Sequence, residues 1–97
     1  MTHTRSRDPL QLIPGIGPSL AADLRLLGIR TVAGLKGRDP ERLYRRLERL
    51  TGGPQDRCVL YTFRCAVYFA ETRHPTPRLL KWWNWTDERM PRKHRME

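Results

Sequence analysis

The five residues from Pro14 to Pro18, Pro-Gly-Ile-Gly-Pro, constrain the fold of this chain more than any other feature. Proline inside a helix removes a backbone donor and clashes with the preceding turn, so no helix runs through this stretch. Apolar residues at helical spacing follow it, with Leu20, Leu24 and Leu27 on one face. The pattern therefore predicts a tight turn between two short helices.

Similar proline, glycine and capping residues divide the rest of the chain into helices. Asp8-Pro9 and Asp39-Pro40 each match an N-cap followed by proline at the first helical position. Gly28 suits the left-handed position after a helix, and Ile29 suits the apolar contact beyond it. No strand pattern is present. We predict helices over residues 9–13, 18–27, 40–50, 55–73 and 77–85, with a short turn over 32–35 capped by Thr31.

A chain of 97 residues accommodates one domain. The prediction is therefore an all-α domain of about five short helices over residues 8–87. Residues 1–7 and 88–97 are polar, charged and without apolar period, and we expect them to be basic flexible tails. The segment 55–73 is apolar on most of its circumference, apart from a polar stripe of Arg57, Arg64 and Glu71. Such a helix lies at the centre of a core or faces a partner chain.

The turn at Pro14–Pro18 combines features that are typical of an anion-binding site. Gly15 and Gly17 can both adopt positive φ and place no side chain between backbone and ligand. Ile16, between them, can fold inward and anchor the loop on the core. Pro18 opens a helix whose first N–H groups are free, and such groups bind anions.

The stretch LIPGIGPSLAADL resembles the helix-hairpin-helix motif of DNA-repair and recombination proteins. The continuation LGIRTVAGL and DPERL resembles the wider SAM-like domain that contains such hairpins, so this resemblance covers about residues 8–50. It implies that hairpin amides hold a phosphate oxygen and that hairpin carbonyls hold a monovalent cation. Carried over, phosphate contact falls to Gly15, Gly17, Ser19 and Leu20. The plainer alternative is a structural turn with no ligand.

The net charge of the chain also favours a phosphate-containing partner. Nineteen Lys and Arg face ten Asp and Glu, a net charge of +9, and sixteen of the nineteen are arginine. A basic excess of this size favours an anionic partner, and the planar guanidinium suits phosphate. Genome composition explains an arginine preference equally well, but not the net charge. Four arginines of the helix over residues 40–50 form one stripe that we interpret as a second phosphate-contacting surface: Arg42, Arg45, Arg46 and Arg49.

Leucines occupy the opposite face of that helix, and Leu43, Leu47 and Leu50 are predicted core residues. An ordinary solvated face is the alternative interpretation of the arginine stripe. The tryptophans in LLKWWNW, Trp82, Trp83 and Trp85, either close the core over the long helix or stack on bases of a single strand.

The second half of the chain carries a closer resemblance. DRCVLYTFRCAVYFAE followed by LLKWW is similar to a group of short bacterial helix-hairpin-helix proteins, the pathogenicity-locus or mitomycin-resistance-like proteins. This resemblance covers about residues 9–87. It implies a helical hairpin domain, and the mitomycin label hints at DNA damage.

No catalytic constellation stands out, and we expect no enzyme and no bound metal. Cys58 and Cys65, seven residues apart on one helix, lie roughly 10 Å apart along its axis, too far for a disulfide. Unpaired thiols and the lack of an apolar leader or spanning segment favour a cytoplasmic protein without a membrane partner. Cys58 follows Asp56 and Arg57 near a helix start, where a lowered pKa would make it reactive.

Three hypotheses follow from these observations. The leading one is a module that binds DNA through backbone phosphates without reading sequence. The second is a protein-interaction adaptor or homodimer with a purely structural hairpin. The third, a small thiol enzyme, rests on Cys58 and Cys65 alone.

Overall fold

The computed structural model describes residues 8–90. They form three α-helices, α1 (Pro18–Leu26), α2 (Pro40–Thr51) and α3 (Arg57–Glu71). Four 3₁₀ helices join them, at Pro9–Leu12, Ala33–Leu35, Pro77–Leu80 and Trp82–Trp85. No strand occurs in the described residues, which confirms the all-α class. This set replaces the five short helices predicted, because the shortest proline-opened segments form the tighter 3₁₀ turns typical of such lengths.

The predicted caps form as expected. A carboxylate oxygen of Asp8 accepts a hydrogen bond from Leu10 N at 3.0 Å, and Asp39 accepts one from Glu41 N at 2.9 Å. At the end of α1, Gly28 has a φ of +88°, and Ile29 N donates to Leu24 O at 2.9 Å. This is the Schellman pattern, with Ile29 buried beyond it. Local chemistry therefore sets where the helices begin and end.

α3 lies at the centre of the domain, as its apolar composition predicted. On one side it contributes Leu60, Phe63 and Ala66 to a core built with the hairpin segment, α1 and α2. On another side Cys65 and Tyr68 pack with residues of the C-terminal segment. Because α3 is covered on several sides, most of its residues are buried.

The predicted polar stripe on α3 is wrong at Arg64. Arg57 and Glu71 are exposed, but Arg64 is 8% exposed. Its guanidinium donates to Trp85 O at 2.9 Å and to a carboxylate oxygen of Glu41 at 2.9 Å, and it lies 3.0 Å from Asp87 Oδ1. A buried arginine is stable when its donors are paired in this way. Arg64 thus ties α2 and the C-terminal segment to α3.

The C-terminal segment forms two 3₁₀ helices rather than the single helix predicted over residues 77–85. Trp85 is 1% exposed, and its indole N–H donates to Leu79 O at 2.7 Å. Met90, which the prediction placed in a C-terminal tail, is buried in the same cluster. The predicted tails at residues 1–7 and 91–97 lie outside the described residues.

Candidate nucleic-acid interface

The turn before α1 is built by two residues with matching backbone preferences. Ile16 N donates to Ile13 O at 3.1 Å, which closes a four-residue turn. Pro14 occupies its second position and Gly15, with a φ of +85°, its third. Proline followed by a residue of positive φ is the signature of a type II turn. Ile16, 5% exposed, points into the core as predicted and anchors the turn.

Gly17 differs from the prediction. Its φ is −94° and its ψ −170°, an extended conformation that any residue adopts, so positive φ is not its role. Gly17 is instead the N-cap of α1, and a Cβ placed on it would meet no atom within 4 Å. The backbone at Gly17 is therefore open to solvent, where a ligand can approach closely.

The first amides of α1 lie at this open end. Within residues 8–90, no hydrogen bond is formed by the N–H groups of Gly15, Gly17, Ser19 and Leu20. Pro18 contributes no donor, and Ala21 N already donates to Gly17 O at 2.9 Å. Unpaired amides at the positive end of a helix dipole attract an anion. The structure thus brings the four predicted residues together at one place.

Two contacts hold this turn in position. Asp8, at the start of the Pro9–Leu12 helix, forms an ion pair with Arg25 of α1, which joins the segments on either side of the turn. On the other side, a Cβ placed on Gly15 would lie 3.4 Å from Thr62 Cγ2 of α3 and 3.8 Å from Trp82 Cδ1. The turn therefore rests on the central helix and on an indole ring, a neighbour that the sequence did not suggest.

The arginine stripe of α2 lines a groove. The four predicted arginines are exposed and are joined there by Arg38, in the loop before α2, which completes a set of five: Arg38, Arg42, Arg45, Arg46 and Arg49. Asp39 is the one acidic residue among the groove's lining. The loop turns at Gly37, with a φ of +76°, and Gly37 N donates to Glu71 of α3 at 2.6 Å. Sequence reasoning missed Arg38 because the loop, not helical period, brings it to the stripe.

The groove retains most of its positive charge. Arg42 lies 4.0 Å from Asp39, and Arg45 lies 3.6 Å from Glu41. The arginine side chains of both pairs are largely solvent-exposed, although the carboxylates are partly covered, and such pairs contribute little. Arg46 lies near the C-terminal end of α1, since its guanidinium donates to Leu27 O at 3.4 Å. The hairpin amides lie at the other end of α1, roughly 13 Å away at ~1.5 Å per residue.

The leucine face of α2 agrees with the prediction at two of its three positions. Leu43 and Leu47 are buried, whereas Leu50 is 48% exposed. Tyr44 is buried instead, and its hydroxyl donates to Gln55 O at 2.6 Å. Leu50 lies in the last turn of α2, where the chain turns away at Gly52 and no element covers it.

The three tryptophans have different environments. Trp85 is a core residue, Trp82 is half-buried, and Trp83 is 46% exposed. Trp82 lies nearly parallel to Tyr61, with ring centroids 6.5 Å apart. Trp83 meets Trp82 edge to face at 5.9 Å, and Lys81 Nζ lies 5.5 Å from the Trp83 ring centroid. The core interpretation is therefore confirmed for Trp85, whereas Trp83 leaves part of its ring at the surface.

The thiols are poorly suited to nucleophilic chemistry. Burial raises the pKa of Cys65 to about 11, and its Sγ lies 3.5 Å from Leu79 O. The lowered pKa suggested for Cys58 is wrong. Burial, together with the negative charge of Asp56, raises the pKa of the Cys58 thiol instead. A thiol of raised pKa holds less thiolate near neutral pH, so it reacts slowly.

Two further findings concern the described part of the chain. Within residues 8–90, no three or more His, Cys, Asp or Glu side chains gather closely enough to hold a metal ion. None of the helices there has both the length and the apolar composition required to cross a membrane.

Comparisons with known proteins place the chain in a family. Residues 3–91 match the family model of Cdd1, the pathogenicity locus. The chain is also similar to the mitomycin resistance protein McrB of Streptomyces lavendulae, with 36% identity over 89 residues. That alignment covers 92% of this chain and 80% of the relative. No solved structure matches the chain. On the family match over nearly its whole length, the chain belongs to the Cdd1 pathogenicity locus family.

Proposed function

We propose that this protein binds DNA through its backbone phosphates, without reading base sequence. The observation that carries the proposal is the groove of five arginines with one acidic residue among its lining. Like charges so close together destabilise the free protein slightly, and an anion at the groove relieves the repulsion. A row of guanidinium groups suits a polyanion, because each offers a planar pair of donors to a phosphate.

The hairpin provides the second contact. We infer that residues 9–27 form a helix-hairpin-helix unit within a SAM-like domain. Its free amides at Gly15, Gly17, Ser19 and Leu20 would hold a single phosphate oxygen, while Arg46 and its neighbours bind phosphates beyond the other end of α1. Amides and guanidinium groups contact phosphates of any sequence, which is why the binding would be non-specific.

The hairpin also suits a monovalent cation. Carbonyl oxygens are suitable ligands for hard cations, and within residues 8–90 those of Pro14, Gly15 and Ile16 accept no hydrogen bond. A cation bound there would add positive charge beside the phosphate. The chain's own contribution is the open carbonyl and amide groups of the turn.

The biological role that we propose is resistance to DNA damage. The relative from Streptomyces lavendulae is named as a mitomycin resistance protein. A DNA-binding module without catalytic activity would act in the cytoplasm by occupying or marking a site on DNA. The described cysteines, with their raised pKa values, give a thiol reaction little support.

The proposal is tested by fluorescence anisotropy with labelled duplex DNA over a series of salt concentrations. The logarithm of the association constant should fall linearly with the logarithm of salt concentration, with a slope of about −0.9 per phosphate neutralised. A double variant, Arg42→Gln with Arg49→Gln, should make the slope shallower by roughly 1.8. Both side chains are exposed, so we expect the fold to be preserved.

The matched control removes the same charge elsewhere. Arg30→Gln with Arg73→Gln gives the same net charge, and both residues are exposed and outside the groove. If the control weakened binding as much as the groove variant, general charge rather than the groove would account for the affinity. The absence of salt-sensitive binding in the unmodified protein would refute the proposal.

The second candidate function is a protein-interaction adaptor or homodimer. The observation that favours it is a set of exposed apolar side chains, with Leu12 73% exposed and Leu26 51% exposed. Sedimentation tests this second candidate. A concentration-dependent dimer that dissociates in the double variant Leu12→Ser with Leu26→Ser would support a homodimer. A monomer at all concentrations would leave no support for the homodimer.

A further inference from the structure

Trp83 is a large apolar side chain held at the surface in a fixed position. It is 46% exposed, although its neighbours Trp82 and Trp85 are largely or fully covered. Its ring meets Trp82 at an interplanar angle of 84°, and Trp82 lies at 10° to Tyr61 of α3. The Trp83 indole therefore packs against Trp82, which in turn stacks on Tyr61, and these contacts hold its exposed part in one position.

This surface lies beside the hairpin. Trp82 is the ring that a Cβ on Gly15 would approach to 3.8 Å, and Trp83 is in contact with Trp82. One indole therefore separates Trp83 from the turn whose amides we assign to a phosphate. In a nucleotide one sugar joins phosphate to base, so a strand held at the turn brings its bases near the exposed ring.

The charge around Trp83 suits an anionic strand. Lys81 Nζ lies 5.5 Å from its ring centroid, a solvent-exposed cation–π contact that a competing partner easily displaces. Asp87, Glu88 and Arg89 line the hollow that adjoins the Trp83 ring. The Asp87 carboxylate is paired with Arg57 at 2.9 Å and with Arg64 at 3.0 Å. Among residues 8–90 the Lys81 ammonium forms no ion pair, so it can move from the ring to a phosphate.

We propose that Trp83 is a stacking platform for an unpaired nucleobase, and that the DNA this protein prefers contains unpaired nucleotides next to duplex. The inference rests on the proposed function and names its substrate class. Bases within a duplex are covered on both faces by their neighbours, whereas an unpaired base offers a free face to an aromatic side chain. The amide and arginine contacts hold the strand, and Trp83 selects its structure.

The test compares two labelled DNAs of the same length and sequence, one an uninterrupted duplex and one with a short single-stranded gap. The unmodified protein should bind the gapped DNA about tenfold more tightly, the size of one base–aromatic stack. Trp83→Ala should remove this preference and leave binding to the uninterrupted duplex unchanged. Trp83→Phe should retain most of it, because the aromatic face remains.

Two controls make the result specific. Leu26→Ala removes a comparably exposed apolar side chain elsewhere and should preserve the preference for gapped DNA. Gapped DNA should also quench the protein's tryptophan fluorescence, and this quenching should be largely lost in Trp83→Phe, which keeps Trp82 and Trp85.

Equal affinity of the unmodified protein for the two DNAs would overturn the inference and leave the proposed function standing. The same conclusion would follow if Trp83→Ala kept the preference. Failure to bind either DNA would refute the proposed function itself. If Trp83→Ala instead abolished a dimer seen by sedimentation, the exposed indole would belong to a protein interface and the inference would be wrong.

Discussion

Replacing each hairpin glycine with alanine separates the structural role of this turn from its binding role. Gly15 has a φ of +85°, where an alanine costs about 1–2 kcal/mol relative to ordinary conformations. Its new Cβ would also lie 3.4 Å from Thr62 Cγ2, at the short end of ordinary van der Waals contact, so the backbone conformation sets most of the cost. Alanine restricts the unfolded chain and so recovers roughly 0.4–1 kcal/mol. The expected net loss for Gly15→Ala is about 1 kcal/mol.

Gly17→Ala should behave differently. Gly17 has an ordinary extended backbone, and nothing lies within 4 Å of the added Cβ. Alanine restricts the unfolded chain, but it is less favourable than glycine at the N-cap of a helix, and the two effects are of similar size. The variant should therefore be about as stable as the unmodified protein. The new methyl group would, however, take up part of the open space through which a phosphate approaches the turn. We expect Gly17→Ala to weaken DNA binding while its fold remains intact.

Thermal unfolding followed by circular dichroism measures the first effect. In a domain of this size 1 kcal/mol corresponds to a change in Tm of roughly 4–8 °C. Gly15→Ala should therefore melt about 5 °C lower than the unmodified protein, and Gly17→Ala at about the same temperature as the unmodified protein. If Gly17→Ala melted below Gly15→Ala, the assignment of positive φ and close packing to Gly15 alone would be wrong.

Three other predictions concern Arg64, Asp87 and the two cysteines. Arg64→Met should destabilise the fold by about 2 kcal/mol in urea unfolding, because it leaves Glu41 and Asp87 without their shared cation; an unchanged midpoint would contradict this. Burial alone would raise the pKa of Asp87, but hydrogen bonds from its arginine partners outweigh burial and lower that pKa below 3.8. The contribution of the Asp87 carboxylate to the free energy of unfolding should therefore be complete above pH 4. That contribution should be lost as the pH falls through the lowered pKa. Unfolding titrations of Asp87→Asn at several pH values should show a weaker acid dependence, and an identical dependence would exclude this role. Cys65 should resist a thiol reagent at pH 8 until the protein unfolds, and Cys58 should react slowly; rapid labelling of Cys65 in the folded protein would disprove its burial.

Local chemistry in the sequence was sufficient to place two helix starts, at Pro9 and Pro40, and the end of α1. Asp8 and Asp39 cap the helices that follow them because their carboxylates reach amides two residues away. Gly28 ends α1 for a similarly local reason, since only a residue tolerant of positive φ closes that pattern. The apolar circumference of α3 also predicted its central position. These features depend on near neighbours in the chain, which a sequence displays directly.

The tertiary structure decided which side chains are covered and which charges meet. Arg64 has the same spacing as Arg57 and Glu71, yet it alone is buried, because α2 and the C-terminal segment bring Glu41 and Trp85 to it. Leu50 fits the leucine face of α2, but no element passes over the last turn. A helical period identifies a face and cannot say how far along the helix the covering elements extend.

The same reason explains the candidate interface. The sequence predicts the turn at Pro14–Pro18 because its residues are contiguous, and it predicts the arginine stripe because those residues follow one helical period. Arg38 joins the stripe, and Trp82 lies beside Gly15, only because loops bring distant segments together. Likewise, Trp83 and Trp85 are two residues apart in one apolar motif, and packing alone buries one and exposes the other. Local sequence therefore specifies the groups that we propose to bind phosphate, whereas packing specifies which of them share a surface, because long-range contacts do not depend on neighbours in the chain.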